Sequence, residues 1–224
     1  MLIHDTNKIL KFADDTYLVV PAVTTMTCAD ELSHIESWAT ENNLKLNCTK
    51  AKEIIFQSCS NREKVVQLAP PQQGVELVDK ITTLGIVVNN RLTAANHIRY
   101  IMTACSSLLF ALCVPRSHGL PETSIKDVLQ ATVFAKITYC LPAWFGFGTA
   151  ADRDRLNSFL RHCVKLGFWS SSNTPCISTV AEDIVDTLFN KITCYHYHIL
   201  QSYLPDRPDI DYYLRERHHN KTNS

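Results

Sequence analysis

No sign of charge predominates in this sequence. Lysine and arginine together number 22, aspartate and glutamate together also number 22, and the formal net charge is therefore zero. A free-standing nucleic-acid-binding protein is more often clearly basic, because it must neutralise phosphates. The composition therefore gives no support to a free-standing nucleic-acid binder.

The sequence also has no closely paired cysteines and no long apolar run. Its nine cysteines are dispersed without a Cys-X-X-Cys pair, which is typical of reduced, mostly buried thiols. No stretch approaches the roughly 18 apolar residues of a membrane span, and no charged-then-apolar leader begins the sequence. We therefore expect an intracellular protein, cytoplasmic or nuclear, that is not secreted and not in a membrane.

What the sequence does contain is enough apolar material for a sizeable core. Hydrophobic residues make up 46% of the 224 residues, which suits one or two globular domains. Before about residue 95, strand-like runs at 53–56, 75–78 and 86–88 accompany one helix, and residues 69–74 have the composition of a loop. This part is predicted to be α+β. The apolar face of its helix comprises Met26, Ala29, Leu32, Ile35 and Ala39.

After about residue 95, a helical period of 3.6 replaces the strand pattern. Four apolar stripes joined by short loops predict a helical bundle. We therefore divide the chain into residues 1–94, a helical domain at 95–204 and a basic tail at 205–224. The stripes comprise Ile98, Ile101, Met102, Cys105, Leu108, Leu109 and Leu112; Ile125, Val128, Leu129, Thr132, Val133 and Cys140; Leu156, Phe159, Leu160, Cys163 and Val164; and Ile184, Leu188, Phe189, Ile192, Tyr195 and Ile199.

Two adjacent carboxylates, Asp14 and Asp15, stand between two short β-prone runs. Side chains alternate faces along a strand, so neighbouring residues can aim at one point only where the backbone turns, and this pair falls where a hairpin would turn. Two oxygen ligands at a turn suit Mg²⁺, which takes its other ligands from water and substrate phosphates. The plainer alternative is that the two aspartates supply turn chemistry only.

The residues around the pair favour a particular family. Phe-Ala-Asp-Asp-Thr at 12–16 is followed by Trp-Ala at 38–39, by Asn-Leu-Lys-Leu-Asn at 43–47 with Lys50, by Thr-Leu-Gly-Ile-Val at 83–87 and by Ala-Trp-Phe-Gly at 143–146. Tyr-Leu-Arg at 213–215 and His218 complete the series. In order and spacing, these blocks resemble the C-terminal part of the reverse transcriptase of jockey-like non-LTR retrotransposons. The resemblance covers nearly the whole chain.

The resemblance implies a fold and a set of roles. Residues 1–94 would be a palm remnant made of a hairpin, a helix and short antiparallel strands, and the helical domain would be the thumb. Asp14 and Asp15 would be two of three catalytic aspartates and would ligate Mg²⁺ or Mn²⁺. Lys50 would act near the departing phosphates. Leu84 and Gly85 would form the turn that grips the primer. The partners of the intact enzyme would be an RNA template, a DNA primer and a deoxynucleoside triphosphate.

The same resemblance implies that this chain is a piece of the enzyme. In the family, the fingers and the strand with the third aspartate lie far upstream of the hairpin, whereas ten residues precede Lys11 here. Asp5 is too close to the pair in sequence to match that aspartate. We therefore expect a fragment of an RNA-directed DNA polymerase that is inactive alone. The alternatives are a non-catalytic helical module that binds nucleic acid or protein, and an unselected relic.

Basic residues of the helical part are candidate phosphate contacts. Phosphate contacts position a protein on a duplex without reading its sequence, so we expect weak, salt-dependent binding. Asp152 and Asp154 lie among these residues, and the basic positions do not share one helix face, so the positive field should be modest. A solvated terminus is the alternative for the tail. The candidates are Arg153, Arg155, Arg161 and Lys165, and in the tail Arg215, Arg217 and Lys221.

Overall fold

The computed structural model describes residues 4–57, 75–169 and 175–205. These residues form an α+β structure with small sheets and several helices, as predicted from the sequence. The predicted loop at 69–74 and the basic tail with Arg215, Arg217 and Lys221 lie outside the described residues.

The N-terminal part contains three separate two-stranded sheets and one α-helix. Its elements are β1 (Lys8–Phe12), β2 (Asp15–Val19), α1 (Cys28–Glu41), β3 (Lys52–Glu53), β4 (Glu76–Leu77), β5 (Lys80–Thr83) and β6 (Ile86–Asn89), with 3-10 turns at Ala22–Thr27 and Cys48–Lys50. The β1–β2 and β5–β6 pairs are antiparallel, but β3 and β4 pair in parallel. The expectation of antiparallel strands was therefore wrong for β3–β4. The long connection between these two strands gives the chain enough length to return and run in the same direction.

Helix α1 buries less apolar surface than its sequence pattern predicts. Of the predicted face, Ala39 is buried and Leu32 and Ile35 are half-buried, whereas Met26 lies in the preceding 3-10 turn and is 80% exposed. The other buried residue of α1 is a carboxylate, that of Glu31.

A buried polar network joins the start of β1 to α1. The Glu31 Oε1 atom accepts hydrogen bonds from the backbone N–H of His4 at 2.8 Å and from the Asn7 side-chain amide at 3.1 Å. The same Asn7 amide nitrogen lies 3.1 Å from the hydroxyl of Thr27. On the hairpin, Lys11 Nζ lies 4.7 Å from the centre of the Trp38 ring of α1. Hydrogen bonds therefore join α1 to the residues just before the first hairpin, and a cation–π contact joins it to the hairpin itself.

The helical part contains most of the described chain's apolar core. Its elements are α2 (Ala95–Ser117), α3 (Glu122–Leu129), α4 (Ala135–Thr138), α5 (Leu141–Trp144), α6 (Ala150–Lys165) and α7 (Ile177–Cys194), with a 3-10 turn at Phe145–Phe147. Among the described residues, Ala39 is the one buried hydrophobic side chain that precedes residue 94. The first and third predicted stripes are confirmed: Ile98, Ile101, Cys105, Leu109 and Leu112 of α2 and Leu156, Phe159, Leu160 and Cys163 of α6 are buried.

The second predicted helix is interrupted. A π-helical turn at Gln130–Phe134 separates α3 from α4, and Cys105 lies with its thiol 3.7 Å from the carbonyl oxygen of Val133 in that turn. The helix ends at Thr138, before Cys140, which is exposed and has φ +47°. Cys140 was therefore wrongly assigned to the buried stripe.

The fourth predicted stripe is only partly correct. Ile192 is buried and Ile184 and Leu188 are half-buried, but Phe189 is 53% exposed. Helix α7 ends at Cys194, so Tyr195 and Ile199 lie beyond it and are exposed. Apolar residues at helical spacing therefore extend in the sequence beyond the last residue of the helix.

Helix α2 is long and apolar enough to cross a membrane by length and composition alone, because one 18-residue window of it has a mean hydropathy of 1.6. This window was not expected from the sequence. Core helices of water-soluble proteins pass the same test, and α2 supplies several buried side chains to the helical core. The window therefore carries no conclusion about membranes.

A histidine joins the last sheet to the helical part. His97 of α2 is 2% exposed, and its Nδ1 atom accepts a hydrogen bond from the backbone N–H of Val87 in β6 at 3.2 Å. Its ring contacts Trp144 edge to face at 5.1 Å. Burial lowers the pKa of His97, and the charge of Lys136 lowers it further, so the environment favours the neutral form of the ring.

Candidate functional site

The two aspartates lie at the tip of the β1–β2 hairpin. Phe12 pairs with Asp15, so Ala13 and Asp14 form a two-residue turn and Asp15 begins β2. Ala13 has φ +52°, a left-handed conformation that tight hairpin turns require and that costs a residue other than glycine about 1 kcal/mol or more. The predicted hairpin is confirmed, although its turn falls one residue earlier than expected. Asp14 and Asp15 are both exposed.

Tyr17 connects Asp15 to the neighbouring β5–β6 hairpin. Residues 15 and 17 share one face of β2, and the Tyr17 hydroxyl donates a hydrogen bond to Asp15 Oδ2 at 3.3 Å. Burial raises the pKa of Tyr17, the negative charge of Asp15 and the hydrogen bond to it raise it further, and the Thr83 side chain in β5 acts in the opposite direction. The Thr83 side chain therefore lies close enough to Tyr17 to influence its hydroxyl, although more than 60 residues separate the two in sequence.

The Leu84–Gly85 pair forms the turn of the second hairpin. Thr83 pairs with Ile86, and the two residues between them have φ +48° and +82°. Two left-handed residues are characteristic of a type I′ turn, where asparagine and glycine are preferred and leucine is strained. The predicted turn is therefore present, with its strain placed on Leu84.

Tyr139 holds this turn from the helical part. Its hydroxyl donates to the Leu84 carbonyl oxygen at 3.0 Å. A Cβ atom added at Gly85 would lie 3.3 Å from Tyr139 Cε1, so glycine is needed here both for its φ angle and for the close approach of the ring. One aromatic side chain thus fixes the position of a turn that lies 55 residues earlier in the chain.

Lys50 is not brought into this group. It is exposed and ends the 3-10 turn Cys48–Lys50. Within residues 4–57, 75–169 and 175–205, no hydrogen bond or ion pair joins Lys50 to Asp14 or Asp15. The role that the resemblance implies for Lys50 stays a prediction.

The metal-binding capacity of the pair is limited. No group of three or more histidine, cysteine, aspartate or glutamate side chains that could hold an ion occurs in the described part of the chain. Asp14 and Asp15 provide exposed oxygen donors, which fit Mg²⁺ when water or a substrate supplies the other ligands. The arrangement therefore suits a weak, open site.

The basic residues of α6 differ in what they contact. The Arg153 guanidinium lies 5.1 Å from the centre of the Phe145 ring, and its Nη2 atom is 3.5 Å from the Gly148 carbonyl oxygen. Arg155 is exposed and lies 3.8 Å from the largely buried carboxylate of Asp152. Arg161 donates to Ser158 at 2.8 Å, and Lys165 is exposed at the end of the helix. Arg153 therefore packs against the protein, whereas Arg155, Arg161 and Lys165 are exposed to solvent.

Comparisons with protein-family models, characterised proteins and solved structures found no match to this chain. The assignment of function therefore depends on the residues and on their geometry.

Sequence reasoning missed three residues around the candidate site. Tyr17 could have been noticed, because it lies two residues after Asp15 and so shares its face of the strand. Tyr139 and Glu31 could not, because their partners are far away in sequence and neither position breaks a local pattern. Long-range hydrogen bonds leave no periodic signal in a single sequence.

Proposed function

We propose that this chain is the palm remnant and thumb of a reverse transcriptase of the jockey-like non-LTR type. The observation that supports it best is the proximity of the Asp14–Asp15 hairpin to the Leu84–Gly85 turn, through Tyr17 and Thr83. A polymerase must place its metal ligands beside the end of the primer, since catalysis needs the reacting groups aligned within fractions of an ångström. An acidic hairpin that lies near a turn with a glycine at its tip supports the proposal, because it would bring metal ligands and a primer end into one region.

In this proposal each hairpin has one task. Asp14 and Asp15 would hold Mg²⁺ or Mn²⁺, which would stabilise the charge that develops during nucleotidyl transfer. Tyr17 orients the Asp15 carboxylate by its hydrogen bond. Tyr139 holds the Leu84–Gly85 turn, where a residue without a side chain lets a primer backbone approach closely.

The fragment should be inactive alone. Two-metal chemistry needs carboxylates shared between both ions, and the described residues bring no third carboxylate to Asp14 and Asp15. Purified chain should therefore extend no primer on an RNA or DNA template with Mg²⁺ or Mn²⁺. Template-dependent incorporation by this chain, abolished in Asp14→Ala, would contradict the expected inactivity.

Activity of a longer product tests the family assignment directly. If the coding DNA immediately upstream of Met1 encodes fingers and a further strand aspartate in the same frame, the extended protein should show template-dependent DNA synthesis. Asp14→Asn and Asp15→Asn should each abolish that synthesis. The matched control is Asp127→Asn, an exposed carboxylate on α3 far from the hairpin in sequence. Equal activity of all three variants would refute the assignment.

Metal affinity tests the hairpin separately. With two exposed carboxylates and no substrate phosphate, Mg²⁺ should bind with a dissociation constant of about a millimolar or weaker. The binding should be weakened in Asp15→Asn, as followed by NMR titration. Micromolar affinity lost in that variant would mean that the chain supplies another ligand, and Asp5 is the first position to examine.

The exposed basic residues of α6 favour a second candidate function, that of a non-catalytic module binding nucleic acid. Arg155, Arg161 and Lys165 should give micromolar or weaker binding to a duplex, falling as salt rises, because bound counterions are released from the phosphates. Fluorescence anisotropy on wild type and on Arg161→Glu with Lys165→Glu measures this. Tight binding that ignores both salt and these substitutions would indicate a dedicated recognition module instead of a thumb.

A further inference from the structure

His97 is a buried ionisable side chain at the junction between the β5–β6 hairpin and the helical part. It is 2% exposed, and it is the one histidine of the described residues that is buried. Its Nδ1 atom accepts the hydrogen bond from the Val87 N–H at 3.2 Å, which requires the ring proton to be on Nε2. The Nε2 atom is also buried, and it has no hydrogen-bond partner within the described residues. The bond to β6 therefore depends on Nδ1 remaining an acceptor.

The β5–β6 hairpin is attached to the helical part by contacts that could be lost together. Besides the bond from His97, the Tyr139 hydroxyl donates to the Leu84 carbonyl oxygen at 3.0 Å. Ile86 is partly buried and packs against the helical core. Residues 90–94 connect the end of β6 to the start of α2. The hairpin can therefore move away from the helices on this connection while the helical core stays folded.

The surroundings of His97 oppose a second proton on its ring. Lys136 of α4 is the charged group that acts on it, and burial and this charge both lower the pKa of His97. On α2, the titratable neighbour is Tyr100, whose ring centre lies 6.4 Å from that of His97 and 5.5 Å from Lys136 Nζ. Strand β6 and helix α5 contain no ionisable side chain. Among the described residues, no carboxylate offsets the charge that a second proton would add.

We propose that His97 is a pH-sensitive switch that releases the β5–β6 hairpin from the helical part when its ring takes up a proton. An imidazolium has two N–H donors and no acceptor, so its Nδ1–H would face the Val87 N–H, donor against donor. The new charge would also be buried beside Lys136. Moving the hairpin away exposes the ring to water, which hydrates both donors, and carries the Leu84–Gly85 turn away from Tyr139. This inference does not depend on the proposed polymerase origin.

Proton linkage gives the direction and the steepness of the effect. The ring of His97 has a lowered pKa in the docked state and returns to its ordinary value of about 6.5 when released into water, so the docked state binds fewer protons. Docking is therefore strongest above about pH 6.5 and weakens as the pH falls, by up to about tenfold in the docking equilibrium per pH unit. The decrease levels off below the docked pKa.

Hydrogen exchange of the Val87 amide tests the proposal, because this N–H is bonded to His97 itself. Its protection is compared with that of α6 amides in the same sample, so that the pH dependence of the exchange chemistry cancels. In wild type, the ratio should fall below about pH 6.5 by up to about tenfold per pH unit. In His97→Asn, whose Oδ1 atom can accept a hydrogen bond at every pH, the ratio should not depend on pH. The matched control is His118→Asn, which replaces an exposed histidine and should behave as wild type.

A second variant changes the switch without altering the ring. Lys136→Met removes the charge but keeps a long side chain, so the docked pKa of His97 should rise, and the fall in Val87 protection should be smaller and level off at a higher pH. Lys191→Met, which replaces an exposed lysine of α7, should leave the wild-type curve unchanged.

The proposal is overturned if the ratio does not depend on pH in wild type, or if its pH dependence persists in His97→Asn. It is also overturned if the decrease in Lys136→Met is as large as in wild type. A loss of protection at α6 amides in parallel with Val87 would overturn it too, because the whole chain would then be unfolding and the hairpin would not be released separately.

Discussion

Replacing Glu31 should loosen the aspartate hairpin without disturbing the helical core. Glu31 is fully buried and accepts hydrogen bonds from the His4 backbone and the Asn7 amide. Glu31→Ala leaves the His4 N–H without this acceptor, whereas the Asn7 amide keeps the Thr27 hydroxyl. A buried donor left without an acceptor costs about 1–3 kcal/mol; the His4 N–H is only partly buried, so its cost lies at the lower end, and the lost charge-assisted bond adds to this. We therefore expect the free energy of local unfolding to fall by roughly 2–4 kcal/mol. Glu31→Gln, which retains an acceptor oxygen, should lose about 1 kcal/mol.

Hydrogen exchange of individual amides is the suitable measurement, because it reports the opening of the hairpin separately from that of the helices. A loss of 2–4 kcal/mol should speed exchange at the paired β1–β2 amides by roughly 30- to 800-fold while amides of α2 and α6 stay unchanged. Glu36→Ala, an exposed carboxylate on the same helix, is the matched control. Equal effects of Glu31→Ala and Glu36→Ala would refute the view that this network anchors the hairpin.

Three further predictions concern the division of the chain, pH and turn strain. Residues 95–204 should unfold cooperatively as a helical unit when expressed alone, as followed by circular dichroism, whereas residues 1–94 should not. The reason is that the apolar core of the described residues lies almost entirely in the helical part. The reverse result would mean that the boundary near residue 95 is misplaced. His97 has a lowered pKa in the folded chain, so the unfolded chain binds its proton first, and stability should decrease as pH falls below about 6.5 and level off below the folded pKa. Urea titrations at several pH values measure the free energy of unfolding. Its decrease at low pH should be smaller in His97→Gln and unchanged in His118→Gln. A decrease in His97→Gln as large as in wild type would contradict the role of His97. Leu84→Asn should be more stable than Leu84→Ala by about 0.5–1 kcal/mol in urea unfolding. Both variants lose the leucine side chain, but asparagine tolerates a positive φ angle better than alanine does. Equal stabilities would mean that the turn is unstrained.

Sequence patterns correctly predicted the elements that depend on interactions between residues close together in the chain. The β1–β2 hairpin follows from two β-prone runs around a turn, and the stripe from Ile98 to Leu112 follows from a helix that buries one face. The same reasoning failed where long-range contacts decide. Helical spacing in the sequence continues to Ile199, but the helix ends at Cys194, and Tyr195 and Ile199 are exposed.

The residues of the candidate site could be named from the sequence, but the side chains that hold them in place could not. Asp14 and Asp15 were singled out because adjacent carboxylates between two β-prone runs are visible in the sequence, and Leu84 and Gly85 because of the resemblance to the family. The side chains that fix them in place come from elsewhere in the chain. Tyr139 shows this most clearly, since a single hydrogen bond across 55 residues is invisible until the chain is folded.

The π-helical turn at Gln130–Phe134 determines which way the following residues point around the helix axis. Ile125, Leu129, Val133 and Ile137 are spaced four residues apart and are all buried, although in a regular α-helix three such steps would drift by about 120° around the axis. The wider turn absorbs that drift. Deleting one residue from it would restore the regular helix but rotate Tyr139 by about 100° about the axis. The one extra residue in the π-helical turn is therefore what lets Tyr139 reach the Leu84 carbonyl oxygen, so the length of this turn sets the position of Tyr139 relative to the Leu84–Gly85 turn.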